Sequence, residues 1–105
     1  MWKLDGKHYW AEEREVVPGS NMAEMFWNGV ARRGELTLFR QKKYGLWQSL
    51  SWNQVGAIVR EAGMGLIELG FDIGETASIL GNTRQEWLFS DLALLSCGGV
   101  SSGIY

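Results

Sequence analysis

The residues of this chain best spaced to do chemistry are Asn82, Thr83 and Arg84. They follow the apolar run 76–80 and open a helical pattern, and open parallel sheets hold ligands at the C-terminal ends of their strands. Arg84 would meet an anionic group there. The favoured reading is more local. Thr83 and Glu86 have the spacing of a capping box, and Arg84 forms a surface ion pair. The other reactive side chains are isolated. Cys97, the only cysteine, sits in the apolar stretch 92–100 without a neighbouring histidine, so a buried inert thiol is favoured over a nucleophile. His8, the only histidine, falls in an aperiodic leader. Asp91 lies four residues after Trp87 on a mostly apolar helical face, where exposure or a bond to nearby backbone is favoured over catalysis. Glu12, Glu13 and Glu15 make a charged patch, favoured as a solvated face over an acid–base pair. Lys42 and Lys43 read as a solvated turn rather than a phosphate site.

Motifs with a defined mechanism are missing from the sequence. It contains no CxxC, HExxH or GxSxG, no calcium loop and no Walker-type phosphate loop. Gly63-Met64-Gly65 lacks a third glycine and falls mid-helix, so a dinucleotide site is rejected. No residue is therefore assigned a catalytic, cofactor-binding or metal-binding role.

Composition narrows the class further. The 105 residues are 46% apolar and 21% charged, as in an ordinary globular domain, with a net charge of −2 and no basic block. That balance argues against a nucleic-acid partner. A single cysteine excludes an internal disulfide and fits a reducing, cytoplasmic compartment. No apolar run approaches the ~18 residues of a membrane span, so membrane contact is at most peripheral. Six tryptophans are read chiefly as packing residues, with Trp2 and Trp10 the candidates for a lipid-facing role.

The elements that must position these residues follow from periodicity. Residues 1–20 form an irregular leader ending in the turn signal Val17-Pro18-Gly19-Ser20. Asn21 with Glu24 caps a first helix, striped by Met22, Met25, Phe26 and Val30 and stopped by Gly34. Residues 36–41 and 46–50 flank a glycine-containing turn as a β-hairpin. Ser51 and Gln54 form a capping box for a helix over about 52–69, with Val55, Val59, Ala62, Leu66 and Leu69 as its apolar stripe. Its glycines, Gly56, Gly63 and Gly65, predict close packing against a sheet. Gly70 ends it. The strand 76–80, the helix 84–96 and the strand 100–105 then make one parallel strand–helix–strand unit. The fold class is α/β: an N-terminal helix and β-hairpin followed by a βαβ unit. The expected organisation is a single partial domain over 1–105. Its last strand needs neighbours, so the chain reads as the front end of a larger protein.

The order of these segments resembles the N-terminal part of AMP-forming acyl-CoA synthetases, members of the adenylate-forming superfamily. The resemblance lies in SWNQV opening a helix, LIELG closing it, GETASILGNTRQEW at a strand–helix turn, and DLALLSCGGVSSGIY leading into the next strand. SNMAEMFWNGVARRG and the hairpin FRQKKYGLWQSLSW extend it over residues 20–105. Asn82, Arg84, Glu86 and Trp87 are most similar to the long-chain fatty acid branch.

The resemblance implies a two-step ligase. A fatty acid carboxylate attacks the α-phosphate of ATP, and coenzyme A then takes the acyl group from the adenylate, with magnesium offsetting the phosphate charge. Such enzymes hold the phosphates in a Ser/Thr/Gly-rich loop ending in lysine, which this sequence lacks. The stretch is then expected to supply inactive scaffold, with the remainder of the parent chain as its partner. The alternatives are an adenylating enzyme for a different carboxylic acid, or a stand-alone α/β interaction module. The exposed last strand of such a module predicts self-association.

Overall fold

The computed structural model describes residues 3–4, 7–8 and 18–104. Trp2, Trp10, Glu12, Glu13, Glu15 and the side chain of His8 lie outside what is described. Within the expected leader, β1 (Lys3–Leu4) pairs antiparallel with β2 (Lys7–His8).

Helix α1 (Met22–Arg33) begins where the Asn21 side chain accepts the Glu24 amide at 2.8 Å. The Glu24 carboxylate accepts from Ser20 Oγ. The helix stops at Gly34, which has φ +26° and donates its amide to the Val30 carbonyl. The expected stripe is only partly correct. Phe26 is buried and Val30 half-buried, but Met22 and Met25 face outward. Gly29 completes the inner face, because only a residue without Cβ leaves room for the ring of Trp52.

The hairpin consists of β3 (Thr37–Lys43) and β4 (Leu46–Ser51). Lys43 pairs with Leu46 across a two-residue turn, in which Tyr44 and Gly45 have φ of +53° and +75°. Two successive positive φ values define the turn whose twist matches that of the strands. Lys42 and Lys43 are thus strand residues rather than the expected turn; the tight turn needs only two positions. Near the open end, an extra residue on β3 shifts the register between Thr37 and Phe39.

Helix α2 (Trp52–Glu68) starts at the expected capping box. Ser51 Oγ accepts the Gln54 amide at 3.1 Å, and Gln54 Oε1 accepts the Ser51 amide at 2.8 Å. Its buried residues are Val55, Gly56, Val59 and Gly63, whereas Ala62 and Leu69 are exposed. The glycines serve helices rather than a sheet. A Cβ at Gly56 would meet Val30 of α1 at 3.3 Å. A Cβ at Gly63 would sit 3.3 Å from the Cys97 sulfur, whereas Gly65 faces open space. Val55 and Val59 of the expected stripe are thus buried and Leu66 half-buried, while the two inward glycines carry no hydrophobic signal.

The βαβ unit is built as expected. Strand β5 (Thr76–Leu80) lies parallel to β6 (Val100–Ile104), with Thr76 opposite Val100 and Leu80 opposite Ile104. Helix α3 (Gln85–Ser96) joins them and buries Phe89, Leu92, Ala93 and Leu94. It begins one residue later than expected. Arg84 is the N-cap, without a side-chain capping bond, so the Thr83–Glu86 box does not form. The chain leaving Leu80 uses four residues, not three, to turn back over the strands. Helices α2 and α3 end alike: Phe71 and Gly70 donate back to Leu66 and Ile67, and Gly99 and Gly98 donate back to Leu94 and Leu95. No helix among the described residues is long and apolar enough to cross a membrane.

The core lies between the three helices and the inner face of the hairpin. Phe26, Val55, Val59, Phe89, Leu92 and Ala93 form its centre. Phe26 meets Trp27 edge-on at 5.0 Å and stacks on Trp52 at 6.1 Å, and Phe39 of β3 meets Phe89 of α3 at 5.9 Å. Trp27 Nε1 donates to Ser96 Oγ at 2.9 Å, which in turn donates to the Leu92 carbonyl, tying α1 to the end of α3.

Candidate functional site

The C-terminal ends of β5 and β6 open onto a groove of about 750 Å³. One wall is Phe39, Arg40 and Gln41 of β3. The floor is Gly103 and Ile104 of β6. The far wall runs from Gly81 through Thr83 and Arg84 into Gln85, Trp87 and Leu88 at the start of α3. Tertiary packing sets this shape. The Trp87 ring lies close over Gly103, where a Cβ would come within 3.1 Å of it.

Of the residues singled out by spacing, Thr83 and Arg84 line the groove and Asn82 does not. All three are exposed. Asp91 is half-buried on α3, away from the groove lining. Cys97 caps the C-terminus of α3, with its half-buried thiol donating to the Gly63 carbonyl at 3.4 Å. That contact accounts for the residue as packing. Arg40, Trp87 and Gly103 complete the groove and carry no sequence signal as a set, because β3, α3 and β6 meet only in the folded chain.

Among the described residues, the groove lining contains two arginines and no histidine, cysteine, aspartate or glutamate. It can hold an anionic group beside an apolar one, and the N-terminus of α3 adds partial positive charge. Its described lining residues include no carboxylate, imidazole or thiol. Among the described residues, no three His, Cys, Asp or Glu are placed to hold a metal ion.

No family model matches the chain. Curated proteins and solved structures do. The human long-chain-fatty-acid–CoA ligase ACSBG1 is 31% identical over 81 residues, 77% of this chain and 11% of that protein. The fatty acid AMP ligase from Legionella pneumophila superposes with a TM-score of 0.71 at 13% identity, over 79% of this chain and 14% of the other. The anthranilate CoA ligase AuaEII, solved with anthranoyl-AMP, superposes with a TM-score of 0.71 at 20% identity, over 90% of this chain and 17% of the other. The two structures establish the fold, and the ligase ACSBG1 adds the relationship in sequence. The chain spans about a tenth of the length of that relative. Sequence and fold together make this chain a relative of the AMP-forming acyl-CoA synthetases of the adenylate-forming superfamily, corresponding to part of their N-terminal domain.

Proposed function

We propose that these residues are scaffold of an AMP-forming ligase that activates a carboxylic acid, with a long-chain fatty acid as substrate. The observation that carries this reading is the 31% identity to a long-chain-fatty-acid–CoA ligase over 81 residues. In the proposed reaction the fatty acid carboxylate attacks the α-phosphate of ATP and pyrophosphate leaves. The thiol of coenzyme A then attacks the acyl-adenylate carbonyl and AMP leaves. Residues 1–105 belong to one domain in this reading and provide none of the reacting groups. Magnesium would offset the charge on the ATP phosphates in this reaction; among the described residues no three His, Cys, Asp or Glu are grouped to hold a metal ion. The part of residues 1–105 is to fix the ends of β5 and β6 and the start of α3 relative to the rest of the domain.

The reading places the protein in the cytoplasm, at most peripheral to a membrane. The test is ATP–pyrophosphate exchange by the complete gene product with a series of fatty acids. Exchange that rises with chain length supports the proposal, and exchange only with aromatic acids moves the substrate toward the class named for AuaEII. Residues 1–105 alone are expected to show none. A second reading, an interaction module without chemistry, draws support from the exposed outer face of β5 and β6, where Leu80 and Val100 are 73% and 54% exposed. Absence of exchange with every acid, together with a stable complex with another protein, would favour it.

A further inference from the structure

The tip of the β3–β4 hairpin combines charge and apolar surface in a way the ligase reading does not use. Residues 36–60 contain Arg40, Lys42, Lys43 and Arg60 and no acidic residue, in a chain whose net charge is −2. Arg40 and Lys42 lie two apart on one face of β3, opposite Ser49 and Trp47 of β4. The Lys42 ammonium stands 5.9 Å from the centre of the Trp47 ring, and that of Lys43 5.6 Å from the Tyr44 ring. These apolar groups are not held in the core: Tyr44 is 91% exposed, Leu46 70% and Trp47 68%.

Each part of this arrangement has a physical reason to meet a bilayer. Tyrosine and tryptophan carry an apolar body and a polar handle, which suits the boundary between headgroups and acyl chains. Lysines beside them lie at the depth of the phosphates, and a negatively charged leaflet attracts each such cation. Leu46 extends the apolar tip, a residue that phosphates alone would not recruit. The two-residue turn holds all of them at one end of a two-stranded ribbon.

We propose that the hairpin tip, residues 42–47 with Arg40 behind them, docks on the surface of an anionic phospholipid bilayer. The occupant is chosen by charge complementarity together with the exposed Tyr44, Leu46 and Trp47. The inference stands apart from the ligase reading, since vesicle binding is measured without turnover.

The experiment is co-sedimentation of the full chain with vesicles of phosphatidylcholine, with and without phosphatidylserine. Binding is expected only when phosphatidylserine is present, and it should fall steeply with added salt. Lys42→Gln and Lys43→Gln should each weaken partition by about fivefold. Leu46→Ser and Trp47→Ser should weaken it as well, without weakening retention on heparin. Tyr44→Asn keeps a residue suited to the positive φ of the turn, so it removes the ring without disturbing the hairpin. The salt titration of the unaltered protein needs no variant to fold. Equal binding to both vesicle types, no binding to either, or no loss in the lysine variants would each overturn the proposal. Retention on heparin without vesicle binding would reassign the tip to a soluble polyanion.

Discussion

Helices α1, α2 and α3 cover one another, whereas β5 and β6 are covered on one side only. In the helical layer Val55 and Val59 are fully buried, and side chains reach them from two other helices and the hairpin. In the parallel pair the residues alternate. Ala77, Ile79 and Ser101 are half-buried, while Thr76, Ser78, Leu80, Val100, Ser102 and Ile104 are exposed. Parallel strands in stable domains are covered on both faces. The difference separates a three-helix core with a hairpin against it from a sheet whose outer face stays open. The proposed scaffold role would use that open face as a contact surface.

The comparison can be broken most severely in the core. Phe26→Ala removes the ring that joins Trp27 to Trp52 and should cost about 3 kcal/mol or more in urea unfolding; a loss below ~1 kcal/mol would mean that the three helices do not form one core. Next come the glycines between helices. Gly29→Ala drives a methyl group into the Trp52 ring and should cost roughly 1–3 kcal/mol. Gly65→Ala, pointing into open space on the same kind of helix, should instead stabilise by up to about 1 kcal/mol. The two thermal melts should therefore move in opposite directions.

Smaller effects sharpen the account of the helix ends. Ser51→Ala dismantles a reciprocal cap and should cost about 1 kcal/mol, whereas Thr83→Ala, at a position that does not cap, should stay within ~0.5 kcal/mol. Equal losses at the two sites would restore the capping role that the sequence suggested for Thr83. Smallest is Leu80→Ser on the uncovered face, within ~0.5 kcal/mol for residues 1–105 alone. In a longer protein that covers this face, the same change should cost several-fold more.

These features were not equally legible in the sequence. Ser51 and Asn21 could be read because a cap is an agreement among residues three apart. Gly34 and Gly70 could be read because a helix end needs a residue that tolerates positive φ, and both adopt it. The strand 76–80 was legible from its apolar run and its bounding turns. The inner faces of the helices were not. Glycine carries no hydrophobic signal, so the pattern in α2 pointed to Ala62 and Leu69 when Gly56 and Gly63 face the neighbours. Phe89 and Ala93 went unnamed in α3 because seven of its twelve positions are apolar and are spread round the helix, so periodicity cannot choose among them. The groove was half legible. Thr83 and Arg84 follow a strand end, but Arg40 arrives from a hairpin more than forty residues earlier.

Hydrogen exchange of residues 1–105, followed amide by amide, tests most directly whether this stretch is a self-contained helical core bearing an incomplete sheet. The account expects the amides around Val59 in α2 to exchange slowest, only through global unfolding, and those of β5 and β6 to exchange far faster through local opening. Equal protection in α2 and in both strands would contradict it, since the parallel pair would then be as complete as the helices.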